Sequence, residues 1–266
     1  MSNMKELTII VPLVEYKEEF REMYENALNS VAEGDVKEEA SIIFVGPSSS
    51  LNVVKEFNLG AREVLYLENS KNTELPFQIN KAVKDVKTEY FSVLEFDDNY
   101  TSLWFNEVER YQTAMDGVSV FLPLIEAFDF KRKDAGAIAY ANEAVWASSF
   151  SEELGYVDAQ SLKNHFNFIV SGGVFRTKDF LSVGGLKNSI KVFFWYELLL
   201  RLTHNGKKVY VIPKVGYEHY VNRDESLSVA YQQMKQDEID FWFNTAQEEF
   251  VFKTDRKKKY ENTPNE

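Results

Sequence analysis

Short apolar runs alternate with segments of helical periodicity over the first half of this 266-residue chain. The runs have the length of strands and are rich in β-branched and aromatic residues, which is typical of strands buried on both faces. They cover residues 7–14, 41–45, 63–67, 118–124 and the run that begins at residue 90. Strands that alternate with helices predict an α/β fold of three layers around a mostly parallel central sheet.

The apolar run that begins at residue 90, the fourth in chain order, ends in three carboxylates within four residues: Glu95, Asp97 and Asp98. In an α/β sheet, side chains at the carboxyl ends of strands emerge into the crevice where ligands bind. Because side chains alternate along an extended segment, Glu95 and Asp97 are expected on one side, with Asp98 on the turn beyond. Carboxylate oxygens so placed suit Mg²⁺ or Mn²⁺ held jointly with the phosphates of a substrate. An acidic, solvated turn is the alternative.

The composition restricts the classes of function. A hydrophobic content of 44% is that of a folded globular protein. The absence of cysteine excludes disulfides, thiolate zinc sites and a cysteine nucleophile. A formal net charge of −12 argues against a nucleic-acid partner, because nucleic acid repels an acidic surface. With neither an apolar run of membrane-spanning length nor the layout of a signal peptide, a soluble, cytoplasmic protein without a membrane span is expected.

The later part of the chain is less regular. Residues 135–147 are rich in alanine and aromatic residues and are interpreted as a lid or an acceptor-side wall. Residues 1–223 contain no flexible linker and are predicted to form one domain, followed by a helical extension over residues 224–266 with a frayed basic tail at residues 256–259. The helical stripe of the extension consists of Ile239, Trp242, Phe243, Ala246 and Phe250. It predicts a helix that packs back on the domain, or that forms a homo-oligomer contact.

Four segments in a fixed order resemble parts of a known family. They are residues 8–12, residues 80–98, residues 171–176 with the glycine pair at 184–185, and residues 197–219. The matching positions of the second segment are Asn80, Glu89, Tyr90, Leu94, Asp97 and Asp98. In this order the segments resemble the family 2 glycosyltransferases with the GT-A fold, over about residues 7–223.

The resemblance implies a metal-dependent, inverting glycosyltransferase that moves a sugar from a nucleotide-sugar, most often a UDP-sugar, to an unidentified acceptor hydroxyl. It implies Mn²⁺ or Mg²⁺ at Asp97 and His219, and Glu197 as the catalytic base. The donor-binding residues that it implies are Pro12, Glu15, Ser48, Asn80, Glu95, Asp98, Gly172, Gly173 and Arg176. Arg223 is a further candidate for a contact with the diphosphate or the acceptor.

Two departures from the family pattern leave alternatives open. Residues 46–49 read Gly-Pro-Ser-Ser where the family has paired aspartates, and Phe194 and Trp195 stand where its closing helix begins with Glu-Asp. A nucleotide-sugar-binding protein with weak or no turnover is therefore one alternative. A glycosyltransferase acting on modified DNA is another, which the net charge opposes. A nucleotidyltransferase would need a Gly-rich basic loop where residues 14–17 read Val-Glu-Tyr-Lys.

Overall fold

The computed structural model describes residues 7–33 and 40–247, and within them ten strands form one sheet. The strands are β1 (Leu7–Pro12), β2 (Ser41–Gly46), β3 (Val64–Glu68), β4 (Tyr90–Val93), β5 (Asn99–Tyr100), β6 (Val118–Asp129), β7 (Ala137–Ala141), β8 (Tyr156–Val157), β9 (Val174–Arg176) and β10 (Lys208–Val221). The α-helices are α1 (Arg21–Glu33), α2 (Ser48–Val54), α3 (Leu75–Val83), α4 (Trp104–Ala114), α5 (Ala159–Asn164), α6 (Thr177–Ser182), α7 (Phe194–His204), α8 (Leu227–Gln232) and α9 (Gln236–Gln247). Short 3-10 helices cover Glu18–Phe20, Phe130–Ala135 and Glu143–Trp146.

The strand order of the sheet is β3-β2-β1-β4-β9-β6-β10-β5, with β7 beside β6 and β8 beside β10. The pairs β3–β2, β2–β1, β1–β4 and β6–β10 are parallel. The short strand β9 is antiparallel to both β4 and β6, so β4 and β6 run in the same direction. Six of the strands therefore share one direction, which confirms the mostly parallel sheet predicted from the sequence.

Each face of the sheet carries its own core. Along β1 the side chain of Ile9 joins one buried cluster and that of Ile10 joins the other, because side chains of a strand alternate between faces. Helices α1, α2 and α4 cover the first cluster, whereas α3, α5, α6 and α7 cover the second. This arrangement confirms the three-layer α/β/α architecture that the alternation of strands and helices predicts.

Strands β6 and β10 are longer than the apolar runs that predicted them. The apolar run 118–124 predicts a strand that ends at residue 124, and the apolar run 208–213 predicts one that ends at residue 213. In the structure β6 continues to Asp129 and β10 to Val221. The two extensions pair with each other, with irregular register between Val211 and Tyr217. In the extension of β6, buried and half-buried residues alternate. A search for continuous apolar character misses such a segment, because one of its faces is partly open to solvent.

The C-terminal helices contact the body of the fold. Helix α9 packs on α7, where the Phe243 ring stacks 5.6 Å from the Tyr196 ring and Gln247 Nε2 donates to the Tyr196 hydroxyl at 2.9 Å. The predicted stripe residue Phe250 and the basic residues 256–259 lie outside the described residues. Within residues 7–33 and 40–247, no helix combines the length and the apolar character needed to cross a bilayer.

Gly172, in the turn before β9, lies in close contact with β10. Its φ of +77° is left-handed, and a Cβ atom placed there would lie 2.4 Å from the Tyr217 ring. Gly206 has a similar φ of +68° but has open space around it. Gly172 therefore combines a left-handed backbone with close packing, whereas Gly206 has the left-handed backbone alone.

We expect Gly206→Ala to lower the free energy of unfolding by about 1–2 kcal/mol through strain alone. Gly172→Ala should lower it by about 2–5 kcal/mol, because overpacking adds to that strain. Chemical denaturation of both variants measures the difference. Equal losses for the two variants would contradict the close packing of Gly172 on Tyr217.

Candidate functional site

A cleft of about 750 Å³ opens at the sheet edge where β4, β6 and β10 end. Glu95 and Asp97 line it from the segment after β4, and Ser171 lines it from the turn before β9. His219 lines it from the end of β10, and Arg223 follows two residues beyond that strand. A cleft of this size at the carboxyl ends of parallel strands is where α/β proteins bind small ligands.

Asp98 is buried beneath the cleft and accepts two hydrogen bonds from β10. Its Oδ1 accepts from the Tyr220 backbone N–H at 2.8 Å, and its Oδ2 lies 2.9 Å from His219 Nδ1. Burial lowers the pKa of His219, but the charge and hydrogen bond of Asp98, together with the charges of Glu95 and Asp97, outweigh that effect and raise the pKa to about 9. The ring is therefore protonated at neutral pH, so that Nδ1–H donates to Asp98.

Glu95 lies at the floor of the cleft. The Ser171 hydroxyl donates to its Oε1, and its backbone N–H donates to the Tyr217 hydroxyl at 3.1 Å. Burial is the main cause that raises the pKa of Glu95 to about 7, and the charges of Asp98 and Asp97 add to it. Glu95 therefore exchanges its proton in the neutral range.

Asp97 faces the cleft and is paired with Arg223. Arg223 Nε donates to Asp97 Oδ2 at 2.6 Å, and each side chain is only 9% exposed. Burial and the neighbouring charge of Asp98 raise the pKa of Asp97, although the guanidinium acts in the opposite direction. The carboxylate expected to hold a metal therefore already has a cationic partner from the chain itself.

The side chains of this cluster do not fit a metal centre as they are arranged. Asp97 is bonded to Arg223, and both oxygens of Asp98 are bonded to β10. Among the residues that the structure describes, no three His, Cys, Asp or Glu side chains form a group that could hold a metal ion. The expected pair of metal ligands, Asp97 and His219, lies at one cleft, but each has another partner there.

Another part of the cleft lining, the aromatic wall, consists of aromatic residues. Phe166 and Phe168 follow α5, and Phe193, Phe194 and Trp195 surround the beginning of α7. The other aromatic residues that line the cleft are Tyr140, Tyr196, Tyr220 and Tyr231. Residues 139–144 also line it, in agreement with the interpretation of residues 135–147 as a wall. The lining of the cleft therefore combines a charged cluster with a largely apolar aromatic wall.

The three donor-binding candidates from β1 and β2 lie near each other, outside the residues that line the cleft. Pro12 ends β1, whose carboxyl end lies at the same sheet edge as that of β4. Ser48 is exposed and begins α2. Glu15 is exposed and accepts a hydrogen bond from the Ser49 hydroxyl at 2.5 Å. Their role in donor binding stays a prediction.

Asn80 and Arg176 have protein partners and do not line the cleft. Asn80 Nδ2 donates to the Leu186 carbonyl at 2.7 Å, and Asn80 Oδ1 accepts from the Leu186 N–H at 2.8 Å. Arg176 Nη2 donates to the Tyr90 hydroxyl at 2.9 Å. These contacts join α3 to the turn before α7 and β9 to β4, and the role of both residues in donor binding stays a prediction.

The glycines of the turn before β9 also serve packing. A Cβ atom at Gly172 would meet Tyr217, and one at Gly173 would lie 2.8 Å from the Leu122 side chain. Neither glycine lines the cleft, whereas the preceding Ser171 does. The predicted turn is therefore beside the cleft, but the residue of this turn that lines the cleft is Ser171.

Glu197, the expected catalytic base, is fully buried in an ion-pair network. Its Oε2 accepts from Arg201 Nη2 at 2.6 Å and its Oε1 from Arg201 Nε at 3.0 Å, while Lys187 Nζ lies 3.2 Å from Oε1. It does not line the cleft, and the residues of α7 that do are Phe194, Trp195 and Tyr196. The geometry gives the base assignment no support, because a base must reach the acceptor hydroxyl.

Two further contributors to the site follow β10. Arg223, a candidate for a contact with the diphosphate or the acceptor, is buried beside Asp97. Ser226, Leu227 and Tyr231, which belong to the predicted helical extension, also line the cleft. A basic residue soon after the histidine of the last strand was the available signal for the first.

We expect the thermal unfolding midpoint to fall as the pH rises from about 6.5 to about 9. Folding raises the pKa of His219 from 6.5 to about 9. Protonated His219 therefore adds about 3 kcal/mol to the free energy of unfolding below pH 6.5, and this contribution is lost as the pH rises to about 9. The raised pKa of Glu95 acts in the same direction between about pH 4.5 and 7. Differential scanning calorimetry at several pH values measures the slope.

His219→Gln should lower the midpoint at pH 6.5 and flatten its dependence on pH above that value. His204→Gln, at the exposed end of α7, is the matched control and should keep the wild-type slope. A midpoint of the wild-type protein that stays constant or rises between pH 6.5 and 9 would contradict the pairing of His219 with Asp98.

No family model matches this chain, and no curated protein matches it in sequence. Several solved structures match it in fold. S. aureus TarS 1–349 in complex with UDP-GlcNAc is similar to it with a TM-score of 0.64 and 15% sequence identity, over 92% of this chain and 73% of that chain. The mannosyltransferase PcManGT from Pyrobaculum calidifontis, in complex with GDP-Man and Mn²⁺, gives a TM-score of 0.59 and 12% identity, over 83% and 58% of the two chains.

In a further S. aureus TarS structure, this chain covers 37% of the TarS chain, with a TM-score of 0.59 and 16% identity. At such identities the likeness shows the fold. This chain therefore has the mixed α/β fold of proteins that were crystallised with UDP-GlcNAc and with GDP-Man.

Proposed function

We propose that this chain is a glycosyltransferase that moves a sugar from a nucleotide-sugar, a UDP-sugar foremost, to an acceptor hydroxyl. The observation that carries the proposal is the position of Glu95 and Asp97, which line a cleft at the carboxyl edge of the sheet. The fold shared with structures holding UDP-GlcNAc and GDP-Man supports it. Membership of family 2 rests on the motif order alone.

The two walls of the cleft suggest how the substrates divide it. The donor diphosphate lies beside the charged residues that follow β4 and β10. The base and ribose extend toward the ends of β1 and β2, where Pro12, Glu15 and Ser48 lie. The acceptor lies against the aromatic wall, because rings such as Phe166 and Trp195 supply flat apolar area.

The resemblance further implies a divalent cation and inversion at the anomeric carbon. Since the carboxylates do not fit a metal centre as they are arranged, we assign no step to a metal. In a direct displacement, the acceptor hydroxyl attacks the anomeric carbon, the bond to the diphosphate breaks, and a carboxylate takes the hydroxyl proton. Glu95, Asp97 and Glu143 are carboxylates that line the cleft.

A nucleotide-sugar-binding protein with weak turnover is the second candidate. It is favoured by the beginning of α7, where Phe194 and Trp195 occupy the positions that carry Glu-Asp in the family that the chain resembles. Release of UDP from UDP-GlcNAc separates the two candidates, because an enzyme turns the donor over, if only to water, and a binder does not.

A thermal-shift panel of UDP, UDP-GlcNAc, GDP and GDP-Man tests the donor site, with Mn²⁺ and again with EDTA. A ligand at about 100 times its dissociation constant adds about 2.7 kcal/mol to the stability of the folded state, which corresponds to roughly 5–10 °C. Asp97→Ala should reduce that shift, whereas Asp85→Ala, at an exposed position after α3, should leave it intact. The absence of a shift with all four compounds would rule out the proposed donor site.

Glu197→Gln tests whether Glu197 is a base or a structural residue. Breaking a buried ion pair costs about 3–5 kcal/mol, so the unfolding midpoint should fall by roughly 6–20 °C. Glu56→Gln, which breaks the exposed pair with Arg21, should change it little. A variant with the wild-type midpoint but without UDP release from UDP-GlcNAc would instead support the catalytic role that the resemblance implies.

A further inference from the structure

A short strap, residues 222–225, follows β10 and has a strained backbone. Asn222 and Glu225 have φ angles of 66° and 62°, in the left-handed region, which asparagine tolerates but which costs a residue such as glutamate about 1–2 kcal/mol. Asp224 is paired with Lys131 at 2.7 Å, and Glu225 is paired with Lys17. The strap is therefore tied both to the 3-10 helix after β6 and to the loop after β1.

The strap holds the guanidinium of Arg223 at the cleft. Nε donates to Asp97 at 2.6 Å, and Nη1 donates to the Asp224 carbonyl at 3.2 Å. The guanidinium carbon lies 4.9 Å from the Phe96 ring centroid and 5.3 Å from that of Phe20. The charge is thus fixed by an ion pair, a backbone contact and two aromatic rings, while the residue still lines the cleft.

This arrangement places a permanent positive charge beside the carboxylate that would otherwise hold a metal. Burying a guanidinium is costly, and an ion pair with Asp97 alone adds little stability in compensation. The planar guanidinium is suited to phosphate oxygens, which it binds through parallel N–H donors. A diphosphate that approaches Glu95 and Asp97 requires such a charge, because carboxylates repel it.

We propose that Arg223 binds the diphosphate of the donor and supplies the positive charge there, so that the protein binds its nucleotide-sugar without a divalent metal. The inference rests on the proposed function of the cleft. It assigns Asp97 to the orientation of Arg223 rather than to a metal ion. Within the part of the chain that the structure describes, this agrees with the lack of a group of metal-binding side chains.

Isothermal titration calorimetry with UDP and uridine, in EDTA and in Mn²⁺, tests the inference. The wild-type protein should bind UDP in EDTA within about threefold of its affinity in Mn²⁺, and more tightly than uridine. Arg223→Met should weaken UDP binding by roughly 10- to 100-fold and leave uridine binding nearly unchanged, because it removes only a charge-assisted contact to phosphate. Arg223→Lys should lie between the two proteins, since it keeps the charge but loses the planar fork.

Two further variants keep the outcomes distinct. Arg110→Met removes a guanidinium that is paired with Glu107 on α4, outside both the strap and the residues that line the cleft, and should leave UDP binding unchanged. Asp97→Asn should weaken UDP binding in EDTA less than Arg223→Met does. Circular dichroism and the unfolding midpoint verify that each variant is folded.

UDP binding that needs Mn²⁺ and disappears in EDTA would overturn the inference and leave the proposed function standing. Equal binding of UDP and uridine in all conditions would also overturn it. Failure of both compounds to bind, with or without Mn²⁺, would overturn the proposed function together with the inference.

Discussion

The buried carboxylate of Asp98 holds the cleft together. Asp98 follows β4, whereas both of its partners, the Tyr220 N–H and His219, belong to β10. Asp98 immediately precedes β5, whose Asn99 and Tyr100 pair with Glu218 and Tyr217 of β10, so these two side-chain bonds extend that pairing to the end of β10. A buried acceptor left without a partner costs about 1–3 kcal/mol, which strongly favours this register of β10 over others. The strap begins three residues after His219, and the position of Arg223 therefore depends on Asp98.

The layers of the fold could be predicted because they follow from periodicity. Residues 7–12 and 41–46 are apolar on both faces, and the helices between the strands each carry one apolar face. The acidic end of the fourth run was placed at the correct sheet edge by the same logic. The antiparallel β9 was not foreseen, because three residues carry too little pattern to indicate a direction.

The roles of individual side chains were harder to predict, because they depend on neighbours far away in the chain. Glu197 and Arg201 are spaced as a helical pair, but sequence cannot show that the pair is buried rather than open to the cleft. Gly172 is explained by Tyr217, which lies 45 residues further along the chain. Arg223 owes its burial to Phe20 and Phe96, which are likewise remote in sequence. Such contacts are decided by tertiary packing, for which a local pattern gives no signal.

The position of β10 in the sheet constrains how the protein folds during synthesis. This strand comes late in the chain, yet it lies inside the sheet between β6 and β5, and its contact with β6 joins residues about 90 positions apart. A ribosome that has released only β1 to β9 presents β6 without its parallel neighbour, so an apolar strand edge stays open until β10 emerges. Loop closure over such distances is slow. Completion of the cleft and burial of that edge thus become one event, and the chain is most prone to edge-to-edge aggregation just before it.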